Sequence, residues 1–261
     1  MIHPGRPFSS QTGSARRART CSESHSSVRF GSARRIAGDR GAAAPVPSPF
    51  VDARSADSRR ATANDRAADL AASADEGRLR AAVSDDPDPR VRAVALATLV
   101  RRVPRRRSTP AWRGAAGDPD AAVRRRAAEV APALGRSVSC GALITLLADD
   151  DAWVAEAAAY ALGEHPAPTR RALDALARTA TAHADPLVRE AAVAALGAQG
   201  DPETLPAVLA ACEDRPAIRR RAVLALAAFE GPDVEERLEA ALRDADWQVR
   251  QAAEDLLRVT P

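Results

Sequence analysis

Apolar residues recur along this chain with the spacing of an amphipathic helix, and one short phrase returns every 30 to 34 residues. In all six copies an apolar anchor is followed four residues later by Ala, and in five copies Leu stands eight residues after the anchor. Positions 0, 4 and 8 lie on one face of an α-helix, so each phrase predicts a helix with one buried face. The anchors are Val91, Val123, Val154, Val188, Ile218 and Val249.

Each predicted helix has a marked beginning. An aspartate stands three residues before five of the anchors, and Asp214 stands four residues before the remaining anchor, Ile218. Asp at this place is a typical N-cap, and Pro89 and Pro186 suit the first helical turn that follows it. A shorter apolar segment precedes every phrase and is weakest around Trp112. Each unit therefore predicts two helices, A and B, joined by a tight acidic turn. The five capping residues are Asp88, Asp120, Asp151, Asp185 and Asp246.

Stacked helical hairpins build an α-solenoid with a continuous core. We therefore predict an all-α fold with about six hairpins over residues 75–261 and a capping helix over 57–74. Residues 1–56 are rich in Arg, Ser and Pro and have no apolar period, so we expect them to form a disordered tail.

The repeated phrase resembles the short HEAT-like repeats named after phycobilisome lyases. The resemblance rests on the capping Asp, the Val-Arg pair and the trailing Ala and Leu over about residues 75–258. The Thr-Pro-Leu-His signature of ankyrin repeats and the Trp and Gly-Tyr pattern of tetratricopeptide repeats are absent. The resemblance implies an α-solenoid and leaves the function open.

Composition narrows the class of protein. The 38 basic residues are all Arg, the 35 acidic residues nearly balance them, and only 3% of the chain is aromatic. No apolar run is long enough for a membrane-spanning helix, and the three cysteines have no CxxC spacing. We therefore expect a cytoplasmic protein without a disulfide framework or a cysteine metal cluster.

The first 50 residues carry eight Arg and two acidic residues, whereas the remainder of the chain carries a small net negative charge. Three interpretations of this basic tail remain open. It is a solvated leader or a mis-assigned start, an arm that binds nucleic acid, or an organelle-targeting peptide.

Enzymatic interpretations find little support in the residues. The resemblance extends to a di-iron hydroxylase of a modified lysine, whose metals are held by His-Glu pairs, and no His-Glu dipeptide occurs here. His165 and His183 stand near helix ends, where we expect them to be solvated. Nothing marks a bilin pocket, a phosphate loop or a nucleophile elbow. We expect no catalytic residue, cofactor or metal, and we keep a hydroxylase or lyase as a minor alternative.

An arginine follows the anchor in five of the six copies, near a helix N-terminus where the helix dipole disfavours a cation. We predict that these arginines pair with the capping aspartates of the same or a neighbouring repeat and form an Asp/Arg ladder. Ala155 interrupts the series in the third repeat. The arginines are Arg92, Arg124, Arg189, Arg219 and Arg250.

The segment 101–126 contains nine Arg against two acidic residues. Such a basic region is able to bind a phosphate backbone, and it is also typical of a solvated connector. The residues of this nucleic-acid alternative are Arg101, Arg102, Arg105, Arg106, Arg107 and Arg113.

The exposed positions predicted for the B helices carry both signs of charge, which suits a protein partner better than a polyanion. Our first hypothesis is therefore a non-catalytic scaffold or adaptor that binds a protein partner along its B helices. The predicted contact residues are Arg125, Arg126, Glu129, Glu156, Tyr160, Glu190, Arg220 and Arg221.

Overall fold

The computed structural model describes residues 62–259, which contain thirteen α-helices and no β-strand. The predicted all-α solenoid is confirmed, whereas the predicted tail over 1–56 lies outside the described residues. Helix α1 spans 62–72, within the segment predicted to cap the array. The A helices are α2 (Glu76–Asp85), α4 (Arg105–Ala115), α6 (Cys140–Leu147), α8 (Arg170–Ala182), α10 (Leu205–Ala211) and α12 (Pro232–Ala241). The B helices are α3 (Pro89–Arg102), α5 (Ala121–Leu134), α7 (Ala152–Gly163), α9 (Pro186–Gln199), α11 (Pro216–Ala225) and α13 (Trp247–Val259).

The aspartates predicted as N-caps begin their helices as expected. Asp88, Asp120 and Asp185 each accept a hydrogen bond from the backbone N–H two residues later in the chain. Asp151 accepts hydrogen bonds from the backbone N–H groups of both Trp153 and Val154. The fifth copy along the chain differs, because the N-cap of α11 is Arg215 and no side chain caps that helix. Asp214 is occupied elsewhere, in an ion pair with Arg189.

The repeated apolar residues form the core. All six anchors and all six Ala residues that follow them are buried. The residue eight positions after the anchor, which is Leu in four of the first five repeats and Ala in the other, is buried in all five. Its counterpart in the last repeat, Leu257, is 37% exposed. A residue that is buried by the next repeat becomes partly exposed where the described array ends, as expected of a solenoid whose repeats contact mainly their neighbours.

Glycine allows two pairs of B helices to approach closely. A Cβ atom added to Gly163 at the end of α7 would lie 2.9 Å from the Ala195 Cα of α9. One added to Gly197 would lie 2.9 Å from the Ala225 Cα of α11. Gly197 lies inside α9, which continues to Gln199 and has Gly200 with φ of 59° as its C-cap. The two glycines thus allow α7, α9 and α11 to stack closely against one another.

The weak A segment of the second repeat folds around its tryptophan. Helix α4 contains Pro110, and Trp112 is almost completely buried. The Trp112 indole Nε1 donates a hydrogen bond of 2.7 Å to the Ala127 carbonyl of α5. This bond satisfies the indole N–H inside the core.

Candidate partner-binding face

The arginines that follow the anchors form an Asp/Arg ladder between repeats. Each of four B helices directs its guanidinium to an aspartate about 25 residues later, in the acidic turn of the next repeat. All four pairs are bidentate, and their shortest distances are 2.6 to 2.8 Å. The pairs are Arg92 with Asp118, Arg124 with Asp149, Arg189 with Asp214, and Arg219 with Asp244.

The ladder uses aspartates other than the predicted caps. Asp118 and Asp149 stand two residues before the caps Asp120 and Asp151, so the prediction that the capping aspartate is the partner is wrong. One guanidinium nitrogen of each ladder arginine also donates to a carbonyl of its own turn, as Arg92 does to Asp86. Each arginine thus joins two successive turns, which explains a cation near a helix N-terminus.

These ion pairs shift the titration of the aspartates. The hydrogen bonds from Arg124, Arg189 and Arg219 hold the pKa of their carboxylate partners below the usual value. Folding therefore favours the charged form of Asp149, Asp214 and Asp244.

The ladder is interrupted between α7 and α9. Ala155 replaces the arginine and is fully buried, and His183 replaces the aspartate that would accept it. His183 Nδ1 accepts a hydrogen bond of 3.1 Å from the Asp185 backbone N–H, the bond that Asp149 accepts from Asp151 in the preceding turn. The histidine therefore keeps the shape of the turn without providing a charge for an arginine.

A groove opens between α7 and α9 on the layer of B helices. It has a volume of about 450 Å³ and a floor of small side chains, including Ala191, Ala194 and Ala195. Its walls carry Glu156, Tyr160, Glu164, Leu187, Glu190 and Arg221. A second groove of about 320 Å³ follows between α9 and α11 and shares Arg221 with the first.

The structure brings four of the predicted contact residues together in the first groove. Glu156 and Tyr160 project from α7, Glu190 from α9 and Arg221 from α11. The Arg221 guanidinium lies 3.5 Å from the Glu190 carboxylate and so connects two neighbouring B helices.

The other predicted residues lie outside this groove. On α5 the Glu129 carboxylate forms ion pairs with Arg125 at 2.8 Å and with Arg126 at 2.7 Å. The Arg125 guanidinium also stacks over the Trp153 ring at 5.2 Å from its centroid. Arg220 on α11 is half-buried and has no ion pair among residues 62–259.

Trp153, Leu187 and Glu164 are site residues that the sequence did not predict. Trp153 is 54% exposed and Leu187 is 36% exposed, although both types are usually buried. Both directly precede an anchor, where the other copies have Arg, Ala or Gln. Comparing that position between repeats would have revealed these two apolar side chains.

The six arginines of the nucleic-acid alternative lie around the turn between α3 and α4 and along α4, and all six are exposed. Arg101 and Arg102 end α3 and reach the Ala71 carbonyl of α1. Arg107 pairs with Glu76 at 2.6 Å. The remaining members, Arg105 and Arg106 in the first turn of α4 and Arg113 in its last turn, have no ion pair within the described part of the chain.

The two histidines of the repeats differ in their surroundings. The expectation that His165 is solvated is wrong, because it is 8% exposed and lies near Cys140, with Nε2 at 3.2 Å from the Val138 carbonyl.

Burial raises the pKa of the Cys212 thiol to about 11, which keeps it protonated and unreactive near neutral pH. Residues 62–259 contain no group of three or more His, Cys, Asp or Glu residues placed to hold a metal ion. No helix in the described residues is long and apolar enough to cross a membrane.

Comparison with known proteins gives the same repeat architecture. A family profile described as HEAT repeats matches residues 77–163, 142–217 and 173–258, which together exceed half of the chain. No curated protein matches the chain in sequence.

Solved structures share the fold at low identity. The Escherichia coli protein YibA matches 71% of this chain and 68% of its own, with 19% identity and a TM-score of 0.55. A designed armadillo repeat protein in complex with the peptide (KR)4 matches 69% of this chain and 97% of its own, with 18% identity and a TM-score of 0.52. Human deoxyhypusine hydroxylase in complex with glycerol matches 70% of this chain and 72% of its own, with 21% identity and a TM-score of 0.41.

Proposed function

We propose that this chain, which belongs to the HEAT-repeat family, is a non-catalytic scaffold that binds a protein partner along its B helices. The observation that carries the proposal is the groove between α7 and α9, where apolar and charged side chains from three B helices converge. A solenoid of stacked repeats presents such a surface continuously along its inner layer.

Exposed aromatic side chains on this layer support a protein partner. Trp153 is 54% exposed and Tyr160 is 56% exposed in a chain that is only 3% aromatic. Aromatic residues are enriched in protein interfaces, where they supply most of the binding energy through a few buried contacts. Their exposure on α7 is explained if a partner covers them.

The surrounding charges also suit a protein surface. Arg125 and Arg126 lie on α5, Glu156 on α7 and Arg221 on α11, so both signs alternate along the B helices. Mixed charges give specificity for a complementary protein surface and repel a uniform polyanion in part. The armadillo neighbour that was solved with the peptide (KR)4 supports the view that stacked helical repeats are able to hold a peptide.

A reducing compartment is consistent with the proposal. Cys140 and Cys212 are buried and unpaired, as is common in proteins of the cytoplasm. We propose that the scaffold acts in the cytoplasm.

Affinity capture with charge-reversed variants tests the binding face. We expect the double variants Arg125→Glu/Arg126→Glu and Arg220→Glu/Arg221→Glu to change which partners are captured, or how strongly, relative to the wild-type chain. The control Arg171→Glu/Arg178→Glu makes the same charge change at two exposed arginines of the A helix α8 and should keep those partners. Circular dichroism confirms that each variant is folded. Unchanged capture by both B-face variants would refute the proposed face.

Binding of nucleic acid is the second candidate function, because Arg105 and Arg106 lie beside the N-terminus of α4 and have no ion pair within residues 62–259. If this function holds, affinity for a generic DNA duplex should fall steeply with salt, since neutralised phosphates release counterions. The variant Arg101→Gln/Arg102→Gln/Arg105→Gln/Arg106→Gln should reduce that salt dependence, and a flat salt dependence of the wild-type chain would eliminate this candidate.

A HEAT-like hydroxylase or bilin lyase is the third alternative and is tested by the metal and pigment content of the purified protein. Either enzyme would need iron or a bound tetrapyrrole in the purified protein. We expect a metal-free, colourless preparation, which metal analysis and an absorption spectrum check together.

A further inference from the structure

The groove between α7 and α9 carries an excess of negative charge. Glu156, Glu164 and Glu190 line it together with one cation, Arg221. Arg221 lies 3.5 Å from Glu190 and compensates that carboxylate. Glu156 and Glu164 have no basic partner within residues 62–259, so the groove has a formal charge of −2 from its lining side chains.

The same groove offers apolar surface beside these carboxylates. The Tyr160 ring is 56% exposed, and Leu187 on the facing helix is 36% exposed. The floor consists of Ala residues and Gly163, which lies directly against Ala195 of the facing helix. An aromatic ring and an aliphatic side chain next to a carboxylate suit the apolar stem and the charged end of a basic side chain.

A neighbouring contact shows how this surface holds a cation. On the adjacent pair of B helices, the Arg125 guanidinium stacks over the Trp153 ring at 5.2 Å. Tyr160 lies on the same helix as Trp153, and no cation of residues 62–259 stacks on its ring. The ring is therefore free to accept a cation from another molecule.

We propose that the groove between α7 and α9 binds an extended basic segment of a protein partner and takes an Arg or Lys side chain between Glu156, Glu164 and Tyr160. This proposal rests on the proposed scaffold function and specifies the chemistry of its partner. The unpaired carboxylates repel phosphates and acidic peptides, so charge complementarity selects a cation. The apolar walls and the volume of about 450 Å³ fit side chains of a peptide.

Peptide binding to the full chain tests this proposal. The probe is a fluorescein-labelled nonapeptide with three Arg residues spaced by Ala and Gly, measured by fluorescence polarisation at physiological salt. Two further peptides replace the three Arg residues with Gln or with Glu. We expect the wild-type chain to bind the Arg peptide and to bind the Gln and Glu peptides at least about tenfold more weakly.

Two groove variants and one matched control locate the binding. The triple variant Glu156→Gln/Glu164→Gln/Glu190→Gln should weaken binding of the Arg peptide at least about tenfold. Tyr160→Ala removes the ring and should weaken it roughly threefold to fivefold. The control Glu235→Gln/Glu236→Gln/Glu239→Gln makes the same charge change on the A helix α12 and should change affinity less than about twofold.

Several outcomes would overturn the proposal. Equal losses in the groove variant and the α12 control would show general electrostatic attraction without a site. Failure of the Arg peptide to bind, or preferential binding of the Glu peptide, would exclude a basic occupant. If the wild-type chain captures a partner that the Arg peptide does not displace, the groove proposal fails and the scaffold function stands. Unchanged capture by the charge-reversed variants instead contradicts the scaffold face, whatever the peptide does.

Discussion

The junction between α7 and α9 differs from the other junctions between successive B helices. From α3 to α5, α5 to α7, α9 to α11 and α11 to α13, a bidentate Arg–Asp pair joins the turn of one repeat to the turn of the next. Between α7 and α9 Ala155 and His183 replace that pair, while Gly163 brings the two helices into close contact. The larger of the two grooves on the B helices opens at the same place.

This difference separates two kinds of residue in the array. Residues that recur in every unit, such as the anchor and its Ala, are buried in the core, and the ladder Arg of four units joins its repeat to the next one. The exposed residues Trp153 and Tyr160 occur in a single unit, and the matching positions of the next unit hold Leu187 and Ala194. In a repeat protein the shared residues therefore maintain the stack, and the departures from the pattern mark the candidate binding surface.

The largest effect is expected where α7 and α9 touch. Gly163→Ala places a Cβ 2.9 Å from the Ala195 Cα and should destabilise the chain by about 2–3 kcal/mol. Gly141→Ala in α6 is the control, because its Cβ meets no atom within 4 Å and alanine favours a helix by about 0.5–1 kcal/mol. Urea unfolding should show shifts of opposite sign. A stable Gly163→Ala variant would mean that close packing does not hold this junction together.

The next effect concerns a junction that has its ion pair. Arg189→Met removes both hydrogen bonds to Asp214, whose side chain is 20% exposed, and should cost about 1–2 kcal/mol. Arg250→Met is the matched control, since Arg250 occupies the same position of its repeat but, among residues 62–259, bonds only to carbonyls of its own turn. We expect a clearly smaller shift in its urea midpoint. Equal losses would show that the Asp partner adds nothing to the ladder.

A smaller gain is expected from completing the ladder. Ala155→Arg and His183→Asp together recreate the pair found at the other junctions, and their coupling in a double-mutant cycle should be favourable by about 0.5–1 kcal/mol. Ala155→Arg alone should destabilise, because the guanidinium would meet no carboxylate at a buried position. The cycle is measured by urea unfolding of the four proteins. Additive effects would show that the interruption is not a missing ion pair.

The smallest effect is the dependence of the ladder on pH. Because the pKa values of Asp149, Asp214 and Asp244 are lowered by folding, their pairs contribute fully above about pH 4, the usual Asp value. That contribution is lost as the pH falls through the lower folded-state values. Between pH 7 and pH 3 the urea midpoint of Arg189→Met should therefore fall less than that of the wild type. A larger fall in the variant would contradict this sign.

The sequence determined the repeat, the helix beginnings and the core of this protein, because these depend on local chemistry. An Asp cap bonds to N–H groups two or three residues away, and apolar residues four apart share one helical face. The same period predicts Glu156, Tyr160 and Glu190 at exposed positions of B helices, and the structure exposes Tyr160 but half-buries the two glutamates.

Only the tertiary structure decided which of these residues meet. Arg92 pairs with Asp118 in the next repeat because the stacking of two hairpins brings their turns together, and no local pattern distinguishes that aspartate from the cap two residues later. Glu156, Glu190 and Arg221 likewise converge from three helices. Gly197 is required by the backbone of α11 at Ala225, a contact between repeats that its own helix does not specify. The spacing and rotation of successive hairpins determine these contacts, since they arise from the packing of whole helices.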